Sequence, residues 1–460
     1  MGNDAKHPLT NAVSRRRFLL AISAGGAAIA LAACAQPAAP AAAPTTAPAA
    51  PKPTTPAAAA PTTAPAAPAA TQAPAKVAGP PIKIGHITPR SGFLAVAGNY
   101  SAMGINIGVQ WVNDAGGVLG GRKFELYSED SIDPGVAVQK ATKLYEETKV
   151  DFLMGEINSA SALAESDVAT KHKKLFFNTG ANSDELRQAK CSRYTFHIES
   201  SNSQMVKSTA RWLVQNKPNA KKYYFPVSDY AFGQNLYSVA KATLAKSGCT
   251  EIGHDMIPTG TTDFSSYILK IKAAQPDMVY NCLAGTDWSN FVKQYADMGA
   301  PFDIASSQYE QNSVWGVPKE SLRGIGAAVW YFKTDDPMSK KFTDTAVRMY
   351  AKPPDDQAVK DAWGAFILAD AIEKTGGTDT EAIIKYLESG VEYDLWKGRK
   401  GHFTSYDHQL LQTIAVLQPK PKDKLTDQWD WLDIVGWQPL ANEALDAIHI
   451  TQADNTCKFS

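Results

Sequence analysis

The chain has 460 residues and balanced charge, with 46 Lys and Arg against 46 Asp and Glu. This balance gives no basic face for a phosphate backbone, which argues against nucleic acid as a partner. Its five cysteines include no pair at a metal-ligand spacing such as Cys-x-x-Cys, so we expect no metal site.

The first 34 residues have the pattern of an export signal. Basic residues 15–17 precede a short apolar run over 21–33, which ends at Cys34. A basic start, a short apolar core and small residues before a cleavage point are typical of such signals, and the run is too short to span a bilayer. The paired arginines resemble a twin-arginine signal, and the four residues up to Cys34 resemble a lipoprotein box. We therefore predict that Cys34 is lipidated; an ordinary signal peptide with a chance cysteine is the alternative.

Residues 35–81 are almost entirely Ala, Pro and Thr, and their only charges are Lys52 and Lys76. This composition lacks the large apolar side chains that would offset the entropy of ordering, so we predict a disordered linker. Its prolines favour extended segments, which would hold a folded domain away from a membrane anchor. An O-glycosylated stalk has the same composition and is an open alternative.

Strand and helix patterns alternate from residue 82 onward. In the first half the predicted strands are 82–87, 124–128, 152–154 and 175–177, and helices begin near 100, 133 and 162. After about residue 200 the predicted strands are 223–226, 251–256, 278–281, 304–305 and 325–330, and the helices are 233–247, 264–274, 287–298, 338–350 and 361–375. This alternation predicts an α/β fold with two parallel sheets, each covered by helices on both faces. Ligands of such sheets bind at the carboxyl ends of the strands, which makes the cleft between the sheets the candidate site.

Six stretches carry a family resemblance: residues 83–85, 91–92, 111–122 with the sequence WVNDAGGVLGGR, Asp133-Pro134, 229–233 and 262–264. Each motif is weak alone, but their order and spacing are specific. Over about residues 82–420 the chain resembles the branched-chain amino-acid type of solute-binding lipoproteins that serve ABC transporters. The resemblance implies the periplasmic-binding-protein type I fold, in which two doubly wound, Rossmann-like lobes are joined by three crossover strands.

The resemblance also implies a role and a place of action. We expect a monomer outside the cytoplasmic membrane that captures a small solute and delivers it to an ABC permease and its ATPase, with no organic cofactor. The expected first lobe (N-lobe) comprises residues 82–201 and 332–407, and the expected second lobe (C-lobe) comprises 202–331 and 408–460.

Two loops of the N-lobe are expected to hold a ligand carboxylate, because free N–H groups near helix N-termini favour an anion. By resemblance, Ser159 supplies a hydroxyl and its neighbours supply backbone N–H groups, while the loop after the next strand faces them. The expected ligand-binding residues of this lobe are Ser159, Ala160, Ser161, Gly180, Ala181 and Asn182. A helix cap and an ordinary turn are the competing explanations for the two loops.

In the C-lobe, Tyr230 and Phe232 follow a strand and are candidates to cover an apolar part of the solute; core packing is the alternative. Asp287 is a candidate to meet a cationic or hydroxyl group, and capping of its own helix explains it equally well. Arg90 of the N-lobe adds a charge near the cleft mouth. Amino-acid-binding members of the resembled family place an acidic residue after the strand near residue 304. Gln308 is nearest to that position in this chain, and Glu310 is close but out of register with it.

Glutamine hydrogen-bonds but does not balance a buried ammonium. We therefore expect a carboxylate without an ammonium group, or an amide, more than an α-amino acid. An enzyme is disfavoured because the chain has no phosphate-binding loop and no nucleophile elbow. A ligand-sensing receptor domain for a signalling partner is the remaining alternative. The pairing of Cys191, Cys249, Cys282 and Cys457 is open, with Cys282 expected to be a free core thiol.

Overall fold

The computed structural model describes residues 79–459. The predicted export signal, the lipidation at Cys34 and nearly all of the linker lie outside the described residues. The strands are β1 (Ile82–Thr88), β2 (Phe124–Asp130), β3 (Phe152–Gly155), β4 (Phe176–Asn178), β5 (Thr195–His197), β6 (Lys222–Ser228), β7 (Thr250–Ile257), β8 (Met278–Asn281), β9 (Asp303–Ser306), β10 (Gly326–Ala328), β11 (Glu392–Tyr393), β12 (Gly401–Phe403), β13 (Leu410–Leu411), β14 (Ile414–Pro419) and β15 (Leu432–Gln438). The helices are α1 (Ala95–Asp114), α2 (Pro134–Lys143), α3 (Ser159–His172), α4 (Asn202–Asn216), α5 (Ala231–Ala245), α6 (Ser265–Ala274), α7 (Gly285–Asp297), α8 (Gln311–Val314), α9 (Pro337–Tyr350), α10 (Asp356–Thr375) and α11 (Thr380–Leu387). Within this part of the chain, none of the helices has the length and hydrophobicity that crossing a membrane requires.

The N-lobe is built on a parallel five-stranded sheet in the order β2-β1-β3-β4-β5. Ile84 of β1 lies opposite Leu126 of β2 on one side and Phe152 of β3 on the other. Helix α1 packs against α10 at Gly104, where an added Cβ would lie 1.8 Å from the carbonyl oxygen of Ala358. Glycine is therefore required for this close approach of the two helices.

The C-lobe has a parallel sheet in the order β7-β6-β8-β9. A bridge between Ala305 and Ile325 connects it to an antiparallel sheet in the order β10-β14-β15. The Trp-rich C-terminal region, which shows no clear sequence pattern, supplies β15, and Trp437 lies opposite Ala415 of β14. The indole N–H of Trp315 donates to the carbonyl of Trp429 at 2.9 Å, which ties the same region to the C-lobe.

Three segments connect the lobes, and hydrogen bonds join them to one another. The chain crosses after β5, after β10 and after β13. Lys397 Nζ donates to the carbonyls of Val329 at 2.6 Å and Thr413 at 2.8 Å, which lie in the second and third crossings. Gln412 Nε2 of the third crossing donates to the carbonyl of Ile198 in the first at 2.9 Å. The predicted architecture of two doubly wound lobes with three crossovers is confirmed.

The C-terminal end differs from the expected domain boundaries. A bridge between His197 and Gln409 places β13 beside the N-lobe sheet, so the last crossing begins after Leu411 and not at residue 408. The tail then returns to the N-lobe, where Cys457 forms a disulfide with Cys191. The sequence left this pairing open because spacing does not determine it. Cys282 is a buried free thiol, as expected.

We predict that Cys457→Ser lowers the thermal unfolding temperature, because the disulfide closes a loop between residues 266 positions apart. Loss of such a cross-link costs about 2–5 kcal/mol in typical small domains, mainly by freeing the unfolded chain. Cys249→Ser is the matched control, since Cys249 is a half-buried free thiol. Equal unfolding temperatures for the two variants in differential scanning calorimetry would contradict the prediction.

Candidate functional site

The two lobes meet where the carboxyl ends of their parallel strands face each other, and we call this region the interlobe site. Gln308, after β9 of the C-lobe, donates through Nε2 to Asn182 Oδ1, after β4 of the N-lobe, at 3.0 Å. The ring of Phe93, just before α1, lies edge-on to the ring of Tyr230, with centroids 5.5 Å apart. The interlobe site thus joins a polar pair and an aromatic pair, each with one member from each lobe.

The loop after β3 turns at Glu156, whose φ of +29° is uncommon for a residue other than glycine. Its carboxylate accepts the N–H groups of Ile157 and Asn158, each at 2.8 Å, and the hydroxyl of Ser131. Burial raises the pKa of Glu156 to about 7, although these hydrogen bonds oppose the shift. Sequence reasoning missed this residue, because a glutamate after a strand carries no signal of burial.

The N-terminus of α3 is capped by a side chain of its own loop. Asn158 Oδ1 accepts the N–H of Ala160 at 2.9 Å and the N–H of Ser161 at 3.2 Å. The expectation that these two N–H groups are free for an anion is wrong in this structure, since a carboxamide oxygen occupies that place. Ser159 is fully buried, and its Oγ accepts the N–H of Ser183 at 3.3 Å.

The same arrangement recurs after β4. Asn178 Oδ1 accepts the N–H of Ala181 at 2.8 Å and the N–H of Gly180 at 3.3 Å, so the expectation of free backbone donors is wrong here too. Asn182 donates through Nδ2 to the carbonyl of Ser200 at 2.8 Å, and its Oδ1 accepts from the C-lobe. Asn182, one of the predicted ligand-binding residues of the N-lobe, therefore contacts the C-lobe directly through Gln308.

Tyr230 and Phe232 lie side by side at the start of α5, with ring centroids 5.8 Å apart. Phe232 is 3% exposed, which matches the core-packing alternative, whereas Tyr230 is half-buried and faces Phe93. Burial, and then the carboxyl groups of Glu310 and Asp287, raise the pKa of Tyr230 well above its ordinary value. Phe93 was not singled out from the sequence, although an aromatic residue in the loop after β1 is a usable signal.

Asp287 lies in the first turn of α7 but does not cap that helix. Its Oδ2 accepts the N–H of Gly260 at 2.9 Å, and its Oδ1 has no hydrogen-bond partner within residues 79–459. Burial raises the pKa of its carboxyl group to about 6. Arg90 is half-buried, and its backbone N–H donates to Asp130 Oδ1 at 2.7 Å.

A group of charged residues, all of them fully buried except the half-buried Glu310, lies beside the interlobe site at the first crossing, the start of α8 and the N-terminus of α10. We call it the hinge cluster: Glu199, Glu310, Asp355, Asp356 and Lys360. Lys360 Nζ donates to Glu199 Oε2 and lies 3.7 Å from Asp356 Oδ2. Burial, and then the charge of Asp356, raise the pKa of Glu310 to about 8. Glu310 thus lies among buried charges near the cleft, and its position in the sequence does not indicate this environment.

Within residues 79–459 no group of three or more His, Cys, Asp or Glu side chains is arranged to hold a metal ion. The polar groups of the interlobe site are instead amides, hydroxyls and two carboxyl groups whose pKa values burial raises toward neutrality. The amides and hydroxyls of this set can donate hydrogen bonds to a solute.

The comparisons with known proteins identify the family. A family model described as "Periplasmic binding protein" matches residues 81–424. The chain belongs to the periplasmic binding protein family. Its relatives include a Leu/Ile/Val-binding protein of Rhizobium johnstonii, 26% identical over 342 residues that cover 73% of this chain and 92% of the relative. A Leu/Ile/Val-binding protein homologue of Brucella melitensis is 26% identical over 67% of this chain and 83% of the homologue.

Solved structures show the same fold. A periplasmic binding protein of Burkholderia mallei aligns with a TM-score of 0.76 and 24% identity, over 82% of this chain and 98% of the other. A solute-binding protein of an ABC transporter from R. palustris, solved in complex with benzoate, aligns with a TM-score of 0.71 and 20% identity over 82% of this chain and all of the other. This periplasmic binding protein is therefore a solute-binding protein of the type I fold.

Proposed function

We propose that this periplasmic binding protein is the extracytoplasmic solute-capture component of an ABC importer. The observation that carries the proposal is the hydrogen bond between Gln308 and Asn182, which joins the two lobes inside the interlobe site. A solute that bonds to both residues favours the closed form by its differential affinity for that form. Closure then presents both lobe surfaces to a permease, which fits the ABC-transporter neighbours of this fold.

The proposed solute is a small carboxylate or amide without an ammonium group, with an amino-acid-like solute as the broader class. The C-lobe places the neutral amide of Gln308 at the contact, and the raised pKa values of Asp287 and Glu310 leave these groups less charged near neutral pH. Amide N–H groups such as those of Gln308 donate hydrogen bonds to the polar groups of a solute. Tyr230 and Phe93 supply an aromatic wall for an apolar part. Ser159, Asn182, Tyr230 and Gln308 are the proposed solute contacts.

Isothermal titration calorimetry of the full mature chain tests this proposal with benzoate, 4-hydroxybenzoate, benzamide, leucine and valine as probes. We expect at least one aromatic carboxylate to bind and leucine and valine not to bind. Gln308→Ala should weaken that binding roughly tenfold or more, about 1.4 kcal/mol. Tight binding of leucine or valine would contradict the proposed class, and no binding by any small carboxylate, amide or amino acid would contradict capture itself.

We propose that the mature protein is anchored to the outer face of the cytoplasmic membrane through a lipid on Cys34, after twin-arginine export. The basic residues, the short apolar run and Cys34 support this, together with a family that works outside the cytoplasm. Mass spectrometry of the purified protein should find a diacylated N-terminal Cys34. A mature N-terminus at any other residue would refute the anchor.

A further inference from the structure

A cavity of about 370 Å³ lies at the edge of the interlobe site and is lined by residues of both lobes. This volume falls in the range that holds small-molecule ligands. The N-lobe contributes Tyr100 of α1 and Lys352 after α9, and the C-lobe contributes residues of α7 and the α8 region. The lining residues with polar or aromatic groups at the cavity include Tyr100, Thr286, Ser289, Asn312, Trp315 and Lys352. We call it the edge cavity.

Lys352 gives the edge cavity a positive charge that forms no ion pair with a carboxylate of residues 79–459. Its Nζ lies over the ring of Tyr100, 3.9 Å from the centroid, and the ion pairs of residues 79–459 do not include it. The carboxylate of Asp355 attracts this ammonium without contacting it, and its oxygens accept from Asn312 Nδ2 at 2.5 Å and from the N–H of Ala358 at 2.8 Å. A half-buried ammonium that is not ion-paired within the described residues gains free energy when an anion enters.

Two aromatic rings flank the same position. The rings of Tyr100 and Trp315 have centroids 6.1 Å apart and planes inclined by 44°. Tyr100 belongs to the N-lobe and Trp315 to the C-lobe, so both rings meet only when the lobes are in this arrangement. Tyr100 is 4% exposed and Lys352 covers its face, so the half-buried Trp315 offers the accessible aromatic surface against which a planar apolar group can pack.

In the N-lobe loops, Asn158 and Asn178 already accept four of the backbone N–H groups that were expected to hold an anion. We propose that the edge cavity binds the charged end of the solute, an aryl carboxylate whose carboxylate pairs with Lys352 and whose ring extends past Trp315 toward the aromatic pair of Phe93 and Tyr230. This inference rests on the proposed function and deepens it, since it assigns the solute class and a specificity-determining residue. Because the cavity has walls from both lobes, the same contact couples binding to closure.

The test compares benzoate with its neutral isostere benzamide by calorimetry on the full mature chain. The wild type should prefer benzoate, and Lys352→Gln should weaken benzoate binding tenfold or more while changing benzamide binding less than threefold. Lys352→Arg keeps the charge and should retain the preference for benzoate. Lys341→Gln is the matched control, because Lys341 Nζ lies 4.5 Å from the ring centroid of Trp111, outside the edge cavity.

The outcomes separate this inference from the proposed function. Unchanged benzoate affinity in Lys352→Gln, with an unfolding temperature equal to that of the wild type, overturns the edge cavity as the carboxylate site. A wild type that binds neither aryl probe but binds another small solute also overturns it and leaves capture intact. Equal losses of benzoate and benzamide binding in Lys352→Gln indicate a structural role and count against the inference. Failure of the wild type to bind any small carboxylate, amide or amino acid overturns the proposed function itself.

Discussion

Gly285→Ala is expected to hold the two lobes apart and to weaken solute binding by at least about tenfold, or about 1.4 kcal/mol. Gly285 begins α7 of the C-lobe with a φ of +56°, and an added Cβ would lie 2.2 Å from the carbonyl oxygen of Phe93 in the N-lobe. That oxygen belongs to the backbone, so it moves only if the lobes separate. Small-angle scattering with saturating benzoate should show a larger radius of gyration for the variant than for the wild type.

The left-handed backbone at Gly285 also costs stability when a side chain is added, about 1–2 kcal/mol, and this effect needs a separate control. Gly299→Ala provides it, since Gly299 follows the same helix with a φ of +62° and an added Cβ would have no atom within 4 Å. Both variants should lose similar stability to urea, but only Gly285→Ala should lose affinity and compaction. Wild-type binding by Gly285→Ala would show that this closed contact is not required for capture.

Local sequence patterns predicted most elements of the fold because the determining contacts are near in sequence. Asp133 is the cap of α2, with its Oδ1 accepting the N–H of Val136 at 2.9 Å and Pro134 in the first turn, as the dipeptide predicts. Strand β15 was not predictable in this way. It exists because Trp437 lies opposite Ala415 of β14, a pairing that no local pattern of either segment encodes.

The interlobe site also combines features that the local sequence predicts with features that it does not predict. Strand ends and the loops that follow them are visible in the sequence, so the loops at Ser159 and Asn182 were correctly placed at the carboxyl ends of β3 and β4. Whether their N–H groups are free depends on where Asn158 and Asn178 point, and both fold back on their own loops. Helix-capping preference was the available signal for Asn158, because Asn is favoured at an N-cap.

Lys352 shows what sequence reasoning lacks at a site built from distant segments. Its neighbours at the edge cavity come from α1, α7 and α8, and its environment appears only when these elements are assembled. The charge of a single lysine after a helix predicts a solvated surface residue. In the structure the ammonium of Lys352 lies over the ring of Tyr100, and Asp355 accepts from Asn312 and Ala358. Lys352 is therefore not an ordinary solvated lysine.

Lys360→Met is expected to cost about 3–5 kcal/mol of folding free energy, the range for removal of one partner from a buried ion pair. Lys360, Glu199 and Asp356 are fully buried. Although burial lowers the pKa of Lys360, the carboxylates of Glu199 and Asp356 raise it above its ordinary value, so the ammonium is charged in the folded state. Methionine keeps the length and apolar stem of lysine but leaves the two carboxyl groups without a counter-ion. Urea denaturation monitored by tryptophan fluorescence measures the loss.

Lys397→Met is the matched control, because Lys397 is also buried but donates to neutral oxygens, those of Val329, Gln412 and Thr413. Burial holds its pKa well below the ordinary value, so its removal takes away hydrogen bonds more than charge. Each such hydrogen bond contributes a net stabilisation of about 1 kcal/mol.

The two variants should also differ in how their stability depends on pH. The unpaired carboxyl groups in Lys360→Met must bind protons to remain buried, so their folded pKa values rise. Groups with raised folded pKa values lose their stabilising effect as pH increases. The stability of Lys360→Met should therefore fall more steeply than that of Lys397→Met between pH 5 and 8, and parallel pH profiles would show that the hinge cluster does not depend on the Lys360 charge.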